Sequence, residues 1–251
     1  MPIPARIRIT VALCSAIACL VGIAGGADDA TKAGAAKSAS QNKATAKPLF
    51  PDKGEPKGWS VRSWDDVSKP GPEGAKWVVD ENGVLHGSEP RGTWLVSDKE
   101  YGDFILEYDF KLGERGNSGC GVRFPPKGDP AFDGLEIQMN DVRYNNGQDA
   151  PNQLTGGIYK AIAPKKQVYK PTEWNHYVLT FKGPHVKVEL NGEVIQDVNL
   201  DEHNTPVKRH DNTDAPPLKD RPRRGRIGFQ ELSRGGAHAL IRNATITVLD
   251  E

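Results

Sequence analysis

Cysteine is scarce in this sequence, with Cys14, Cys19 and Cys120 the only three in 251 residues. The first two lie in the apolar N-terminal run. A chain cleaved after that run keeps Cys120 alone, so no intramolecular disulfide can form and the fold must be held by its core. An excess of charge is also lacking, because 33 Lys and Arg residues balance 33 Asp and Glu residues for a net charge of +0. Phosphate binding needs clustered cations, and their absence argues against nucleic acid as a partner. The one basic run, Lys219 to Arg226, is interrupted by Asp220 and Pro222 and reads as a solvated loop. The six histidines show none of the paired spacing of a helical zinc site, which argues against a transition metal. No cofactor is indicated; a calcium ion on loop carboxylates such as Asp129, Asp133 or Asp149 is left open by the sequence.

What is present begins with an export pattern. Arg6 and Arg8 precede an apolar run from Ile9 to Ile23, and Ala24, Gly25, Gly26 and Ala27 follow. A charged start, an apolar stretch too short for a membrane span and a small-residue end form the plan of a secretory signal. Residues 1–27 are therefore expected to be a cleaved signal, and the mature chain secreted or periplasmic with no membrane contact. Residues 28–47 are rich in Ala, Lys, Ser and Thr without an aromatic residue. Such a segment cannot bury enough apolar surface to offset its ordering entropy, so it reads as a flexible tether. Residues 48–251 are expected to form one domain, and the overall 37% hydrophobic and 26% charged content suits a chain with a sizeable core.

That domain reads as strands throughout. Phe104, Leu106, Tyr108 and Phe110 alternate with Ile105, Glu107, Asp109 and Lys111, the period of a half-buried strand. Short apolar segments over 59–64, 76–80, 84–86, 94–96, 154–159, 174–181, 185–190, 194–199, 226–232 and 239–249 are separated by Gly, Pro and Asn-Gly turn signals, including Asn82-Gly83 and Asn191-Gly192. Many short strands at regular spacing with almost no helical pattern predict an all-β antiparallel sandwich. The polar segment 201–224, with Pro206, Pro216, Pro217 and Pro222, is too long for a turn and is expected to be a mobile loop or a lid.

The chain is organised around Gly116 to Asp141. In an extended strand Leu135, Ile137 and Met139 face one way, and Glu136, Gln138 and Asn140 the other. Likewise Cys120, Val122 and Phe124 point together, leaving Gly119, Gly121 and Arg123 opposite. Paired in one sheet, the two strands predict a shallow polar cleft lined by Arg123, Glu136, Gln138 and Asp141, with the loop 125–133 at its rim. The plainer alternative is a solvated sheet face with Arg123 and Glu136 as a structural ion pair.

An ordered set of motifs then becomes visible. They are GWSV at Gly58, TWLVSDKEYGDFILEYDF at Thr93, GNSGCGVRFP at Gly116, GLEIQMND at Gly134, LTGGIY at Leu154, EWNHYVLTFKGPHVKVELNGEVIQD at Glu173, and GRIGFQELSRGGAHALIRNATI at Gly225. Together they resemble the family called the 3-keto-disaccharide hydrolase domain. The resemblance implies a concanavalin-like jelly roll of two antiparallel sheets, with a polar face that holds sugar. It also implies a substrate, a glycoside already oxidised to a ketone at carbon 3 by a separate oxidoreductase. The chain departs from the family pattern at Gln230-Glu231-Leu232-Ser233, where many members carry Gln-Asp-His-Gly.

Cleavage of such a glycoside requires a base for the carbon 2 proton, a partner for the enolate oxygen and an acid for the leaving group. Glu136 is the expected base and Arg123 the enolate partner. Asp141 and Tyr159 are acid candidates, and His176 a reserve for either proton role. Gln138, Asn140 and Asn117 are expected to bind sugar hydroxyls. The competing readings are a two-carboxyl glycosidase using Glu136 and Asp141, and a non-catalytic, lectin-like sugar-binding module. Tryptophans on the polar face would favour stacking on sugar, whereas buried ones are core. The export pattern makes its own prediction. Mass spectrometry of protein from the native host should find a mature N-terminus near Ala27 or Asp28, and an intact Met1 would contradict it.

Overall fold

The computed structural model describes residues 45–249. The expected signal and all of the tether but its last three residues lie outside the described residues. The strands, in chain order, are β1 (Lys47–Pro48), β2 (Trp59–Ser63), β3 (Trp77–Val79), β4 (Leu85–Gly87), β5 (Thr93–Tyr101), β6 (Phe104–Lys111), β7 (Asn117–Phe124), β8 (Leu135–Asn140), β9 (Asn175–Lys182), β10 (His185–Leu190), β11 (Glu193–Asn199), β12 (Val207–Lys208), β13 (Asp214–Ala215), β14 (Gly225–Glu231) and β15 (Leu240–Val248). One sheet has the order β11-β10-β9-β6-β15-β4-β3, with β1 added to β15, and the other β2-β5-β14-β7-β8. Every pairing is antiparallel. The result is a two-sheet β-sandwich of jelly-roll type.

The period of two builds the core. Phe104, Leu106, Tyr108 and Phe110 of β6 are fully buried against Tyr177, Leu179 and Phe181 of β9, and Cys120, Val122, Leu135, Ile137 and Met139 meet them from the second sheet. Burying a side chain of this size stabilises by about 1.5–3 kcal/mol, so the core sustains the sandwich without a disulfide. The turns follow their sequence signals. Asn191 and Gly192 both take the left-handed region, with φ of 54° and 82°, closing the β10–β11 hairpin. Residues 154–159 depart from expectation. Gly156 has φ of 91° and turns the chain, so Ile158 makes only isolated bridges to Ile137 and Ile162 instead of a strand.

The alternation of β7 fails at its end, and the failure corrects the expectation for Arg123. Its φ is 52°, in the left-handed region, beside an irregularity in the β7–β14 register between Arg226 and Gly228. The extra residue reverses the facing. Phe124 turns to the outer side with Trp94, while Arg123 turns inward at the end of the sandwich, fully buried. There its guanidinium donates to Gly102 O at 2.8 Å, Gly183 O at 2.7 Å and Asp103 Oδ1 at 2.9 Å, and lies 5.4 Å from the Phe181 ring centroid. Arg123 is thus a strut between sheet ends and faces no cleft.

Segment 201–224 also differs from a mobile loop. It contains the β12–β13 ladder, and Val207 and Ala215 pack with Ala131 and Phe132. Leu218 is buried in the main core, and buried Arg221 donates to Pro216 O, Ala131 O and Gly134 O. The prolines shape a packed rim rather than a free lid. Limited proteolysis is therefore expected to spare residues 201–224. Leu218→Ala should lose about 2–5 kcal/mol of anchoring and make that segment an early cleavage site, which mass mapping of the fragments checks.

Candidate active site

The β7–β8 ladder sets Gly119 opposite Gln138 and Gly121 opposite Glu136. Because Cys120, Leu135, Ile137 and Met139 are committed to the core, Glu136 and Gln138 must face outward from the second sheet. Gly119 leaves the space that the Glu136 carboxyl fills, since a Cβ at that position would collide with it. Gly121 is crowded in turn by Phe124, Pro130 and Trp94. Around Glu136 and Gln138 lies a cavity of about 500 Å³. Arg91, Asn117, Tyr144, Gln230, Leu232 and Arg234 form one side of it, and Trp64, Asp129, Tyr159, Lys160 and His210 the other.

Two buried carboxyls with raised proton affinity mark its electrostatics. Glu136 is 1% exposed, and its Oε1 is buried without a hydrogen-bond partner. Burial, with the charge of Asp129 added, pushes its carboxyl well above the usual range. Asp129 precedes a short helix, α1 (Pro130–Asp133), and accepts from Ala131 N at 3.0 Å. Burial raises it to about 7 against the pull of that hydrogen bond, with the charge of Asp133 adding to the rise. Tyr159 is pushed up by burial and by Glu136, so its phenol keeps its proton. Burial raises Tyr144 too, but polar contacts with Asn117, Arg91 and Arg234 outweigh it and leave the phenol below its ordinary value. Arg91 donates to Leu232 O at 2.7 Å, and the Arg234 guanidinium lies 4.4 Å from the Tyr144 ring centroid. His210 is held edge-on to Phe132 and Trp64, and burial lowers its basicity.

The expected site residues divide between the cavity and elsewhere. Glu136, Gln138, Asn117 and Tyr159 line the cavity. Arg123 does not, for the reason given above. Asp141 is a correction as well. Its buried carboxyl accepts from Arg143 Nε at 2.7 Å and Nη2 at 2.8 Å, and from Tyr169 Oη at 3.3 Å. Burial raises it, yet the Arg143 hydrogen bonds hold it below the usual range, the wrong direction for an acid. His176 is a third correction. It sits on the outer face of the other sheet, with Nδ1 2.8 Å from Asp109 Oδ1 and Nε2 3.3 Å from Glu107 Oε1. Asn140 is a fourth, because its amide donates to Asp149 Oδ2 and Gln153 O and does not line the cavity.

Several residues of the cavity were missed by sequence reasoning. Asp129 was weighed only as an ion ligand, although the loop 125–133 was placed at the rim. Asp133 pairs with Arg209, and Asp149 accepts from Asn140 and Asn145. Among the described residues no group of three or more His, Cys, Asp or Glu is placed to hold a metal ion. His210 comes from the segment 201–224 and carried no motif. The position where the family pattern has a His is Leu232, which lines the cavity, while neighbouring Glu231 turns inward to accept from Ser233 N and Ala239 N. Of the five tryptophans, Trp64 alone lines the cavity, whereas Trp77 and Trp94 are buried.

The raised Asp129 carboxyl fixes a sign. Above its unfolded value the folded state holds the proton more tightly, so stability falls as pH rises toward 7, by up to about 1.4 kcal/mol per pH unit. Asp129→Asn keeps a capping oxygen and removes the charge. It should therefore flatten this dependence and raise the melting temperature at pH 8 more than at pH 4, as calorimetric scans across pH would show.

No curated protein matches the chain. Two crystal structures from Parabacteroides distasonis ATCC 8503, each named "putative glycosyl hydrolase", are similar to it. The first has 27% identity and a TM-score of 0.65, covering 82% of this chain and 100% of that one. The second has 26% identity and a TM-score of 0.61, covering 82% and 94%. The profile of the 3-keto-alpha-glucoside-1,2-lyase-like domain matches residues 45–247, the whole sandwich with its cavity. By that match the chain belongs to the 3-keto-alpha-glucoside-1,2-lyase-like domain family.

Proposed function

We propose that this chain cleaves glycosides bearing a ketone at carbon 3, by elimination followed by hydration. The observation that carries the reading is the pair of buried carboxyls, Glu136 and Asp129, on a cavity lined with cations, amides and aromatic rings. A ketone at carbon 3 acidifies the carbon 2 hydrogen. A carboxylate removes that proton, the electrons pass to the carbon 3 oxygen as an enolate, and the enolate expels the carbon 1 oxygen, which takes a proton as it leaves. Water then adds at carbon 1 and a proton returns to carbon 2, so the net change is hydrolysis.

The pair divides these roles by its environment. Glu136, whose carboxyl burial pushes well above its ordinary range, serves as the acid toward the leaving oxygen. Asp129, about 7, is substantially ionised there and serves as the base. This reverses the role given to Glu136 from sequence, and the reason is burial that a strand pattern does not show. With Arg123 outside the cavity, Arg91 and Arg234 are the cations for the enolate oxygen. Tyr159 keeps its phenolic proton and can donate to an oxyanion or hydroxyl. Gln138 and Asn117 face sugar hydroxyls.

One observation favours a second reading. Trp64, Tyr144 and Tyr159 all line the cavity, and rings of this kind also hold sugar in a site that only binds it. The experiment separates the readings. Glu136→Gln and Asp129→Asn should each lower kcat by roughly 10² to 10⁴ on a 3-keto disaccharide, the usual scale of general acid-base catalysis. For the native chain the rate should rise with pH through about 7 as Asp129 ionises, and Asp129→Asn should lose that limb. Product formed in deuterated water should carry deuterium at carbon 2. Activity without it would mean direct hydrolysis by the two carboxyls. Binding measured by calorimetry without turnover of any keto-glycoside would establish the binding module.

A further inference from the structure

A second cavity, of about 550 Å³, adjoins the first and has no part in the chemistry above. It lies between the segment 150–161 and the packed rim 202–218. Gln153 and Lys160 line both cavities and form the partition between them. The Lys160 backbone is unusual for a residue with a Cβ, at φ of 56°. Such a conformation costs on the order of 1–3 kcal/mol and persists only where the surroundings impose it. Here the imposition is a reciprocal clamp. Lys160 N donates to Asn152 O at 3.0 Å, and Asn152 Nδ2 donates to Lys160 O at 2.9 Å. From this fixed base the side chain reaches the rim, where Nζ lies 3.4 Å from Lys208 O.

The lining of the second cavity states what it would take. Asn152, Gln153, Asn204 and Thr205 offer neutral hydrogen-bonding groups, and no Phe, Tyr or Trp is among the residues that line it. Its charges do not share a sign: Glu202 lines it together with Lys160 and Lys208, and Lys208 is paired with Asp214 at 2.7 Å. A flat apolar ligand finds no platform here, and an ionic one finds no matching field. A neutral polyhydroxylated ring finds donors and acceptors on several sides. Each cavity falls within the roughly 300–1,000 Å³ of small-molecule sites, and a ligand of two linked rings would cross the partition at Lys160.

We propose that the second cavity receives the leaving-group sugar, with Lys160 at the glycosidic linkage between the two rings. This rests on the cleavage reading for the first cavity. It makes the substrate a disaccharide or a longer saccharide rather than a glycoside of a small alcohol. Lys160 then serves as a specificity-determining residue, held in its strained conformation so that the ammonium stays at the junction.

The test uses the full chain with two substrates that share the 3-keto sugar, a 3-keto disaccharide and the methyl 3-keto-glycoside. Thr205→Trp and Asn204→Trp, made separately because either could misfold, place an indole in the second cavity from exposed rim positions. In a variant with an unchanged melting temperature, the ratio of kcat/KM for the disaccharide to that for the methyl glycoside should fall at least about tenfold. An unchanged ratio in both folded variants overturns the proposal. If the native chain turns over neither substrate, the cleavage reading has failed on its own, and calorimetry with the unoxidised disaccharide and methyl glucoside decides this one. Selective weakening of disaccharide binding by the indole then supports the second site, and equal weakening or none overturns it.

Discussion

The pairing of β7 with β8 is the constraint on which the rest depends. Its inner face supplies Cys120, Leu135, Ile137 and Met139 to the core, and that burial fixes the register. A slip of one residue would drive Glu136 and Gln138 into the core and put apolar side chains in the cleft. The same ladder sets Gly119 beneath the Glu136 carboxyl, where a larger residue would displace it. The hydrophobic effect in the core thereby holds a carboxyl in a place that water barely reaches, and that place sets its proton affinity.

The cleft needs more than this ladder. Its floor is the sheet, but its walls come from elements far apart in the chain: the loop carrying Asp129, the turn carrying Tyr159 and Lys160, and the rim carrying His210. These walls exclude the solvent that would otherwise keep Asp129 and Glu136 at ordinary values. They are themselves held by packing, with Phe132 and Ala131 against Val207 and Ala215, and by Arg221, which ties the rim to the carbonyls of Ala131 and Gly134. The rim therefore acts on the two carboxyls through burial.

A buried arginine and a buried glutamate on neighbouring strands illustrate how pattern and placement diverge. Both were read as facing the cleft. Glu136 does, because β8 keeps its period to the end, whereas Arg123 does not, because a left-handed residue shifts the facing by one. His176 shows a different limit, since its strand pattern was correct but belongs to the sheet that does not line this cavity. Asp141 follows directly after β8, yet the turn that begins there gives its carboxyl to Arg143 and Tyr169.

The sequence by itself determined the fold class, most strand positions, the hairpins at Asn82-Gly83 and Asn191-Gly192, and the outward facing of Glu136 and Gln138. Each of these follows from local alternation or turn chemistry, which neighbours in the chain decide. Only the tertiary structure decided that Asp129, His210, Arg91 and Lys160 meet Glu136, that 201–224 is a packed rim, and that Arg123 braces the sandwich end. Those outcomes rest on contacts between distant segments and on a one-residue irregularity in a ladder. The proton affinities of Glu136 and Asp129 belong with them, because they arise from exclusion of water, which no stretch of sequence specifies alone.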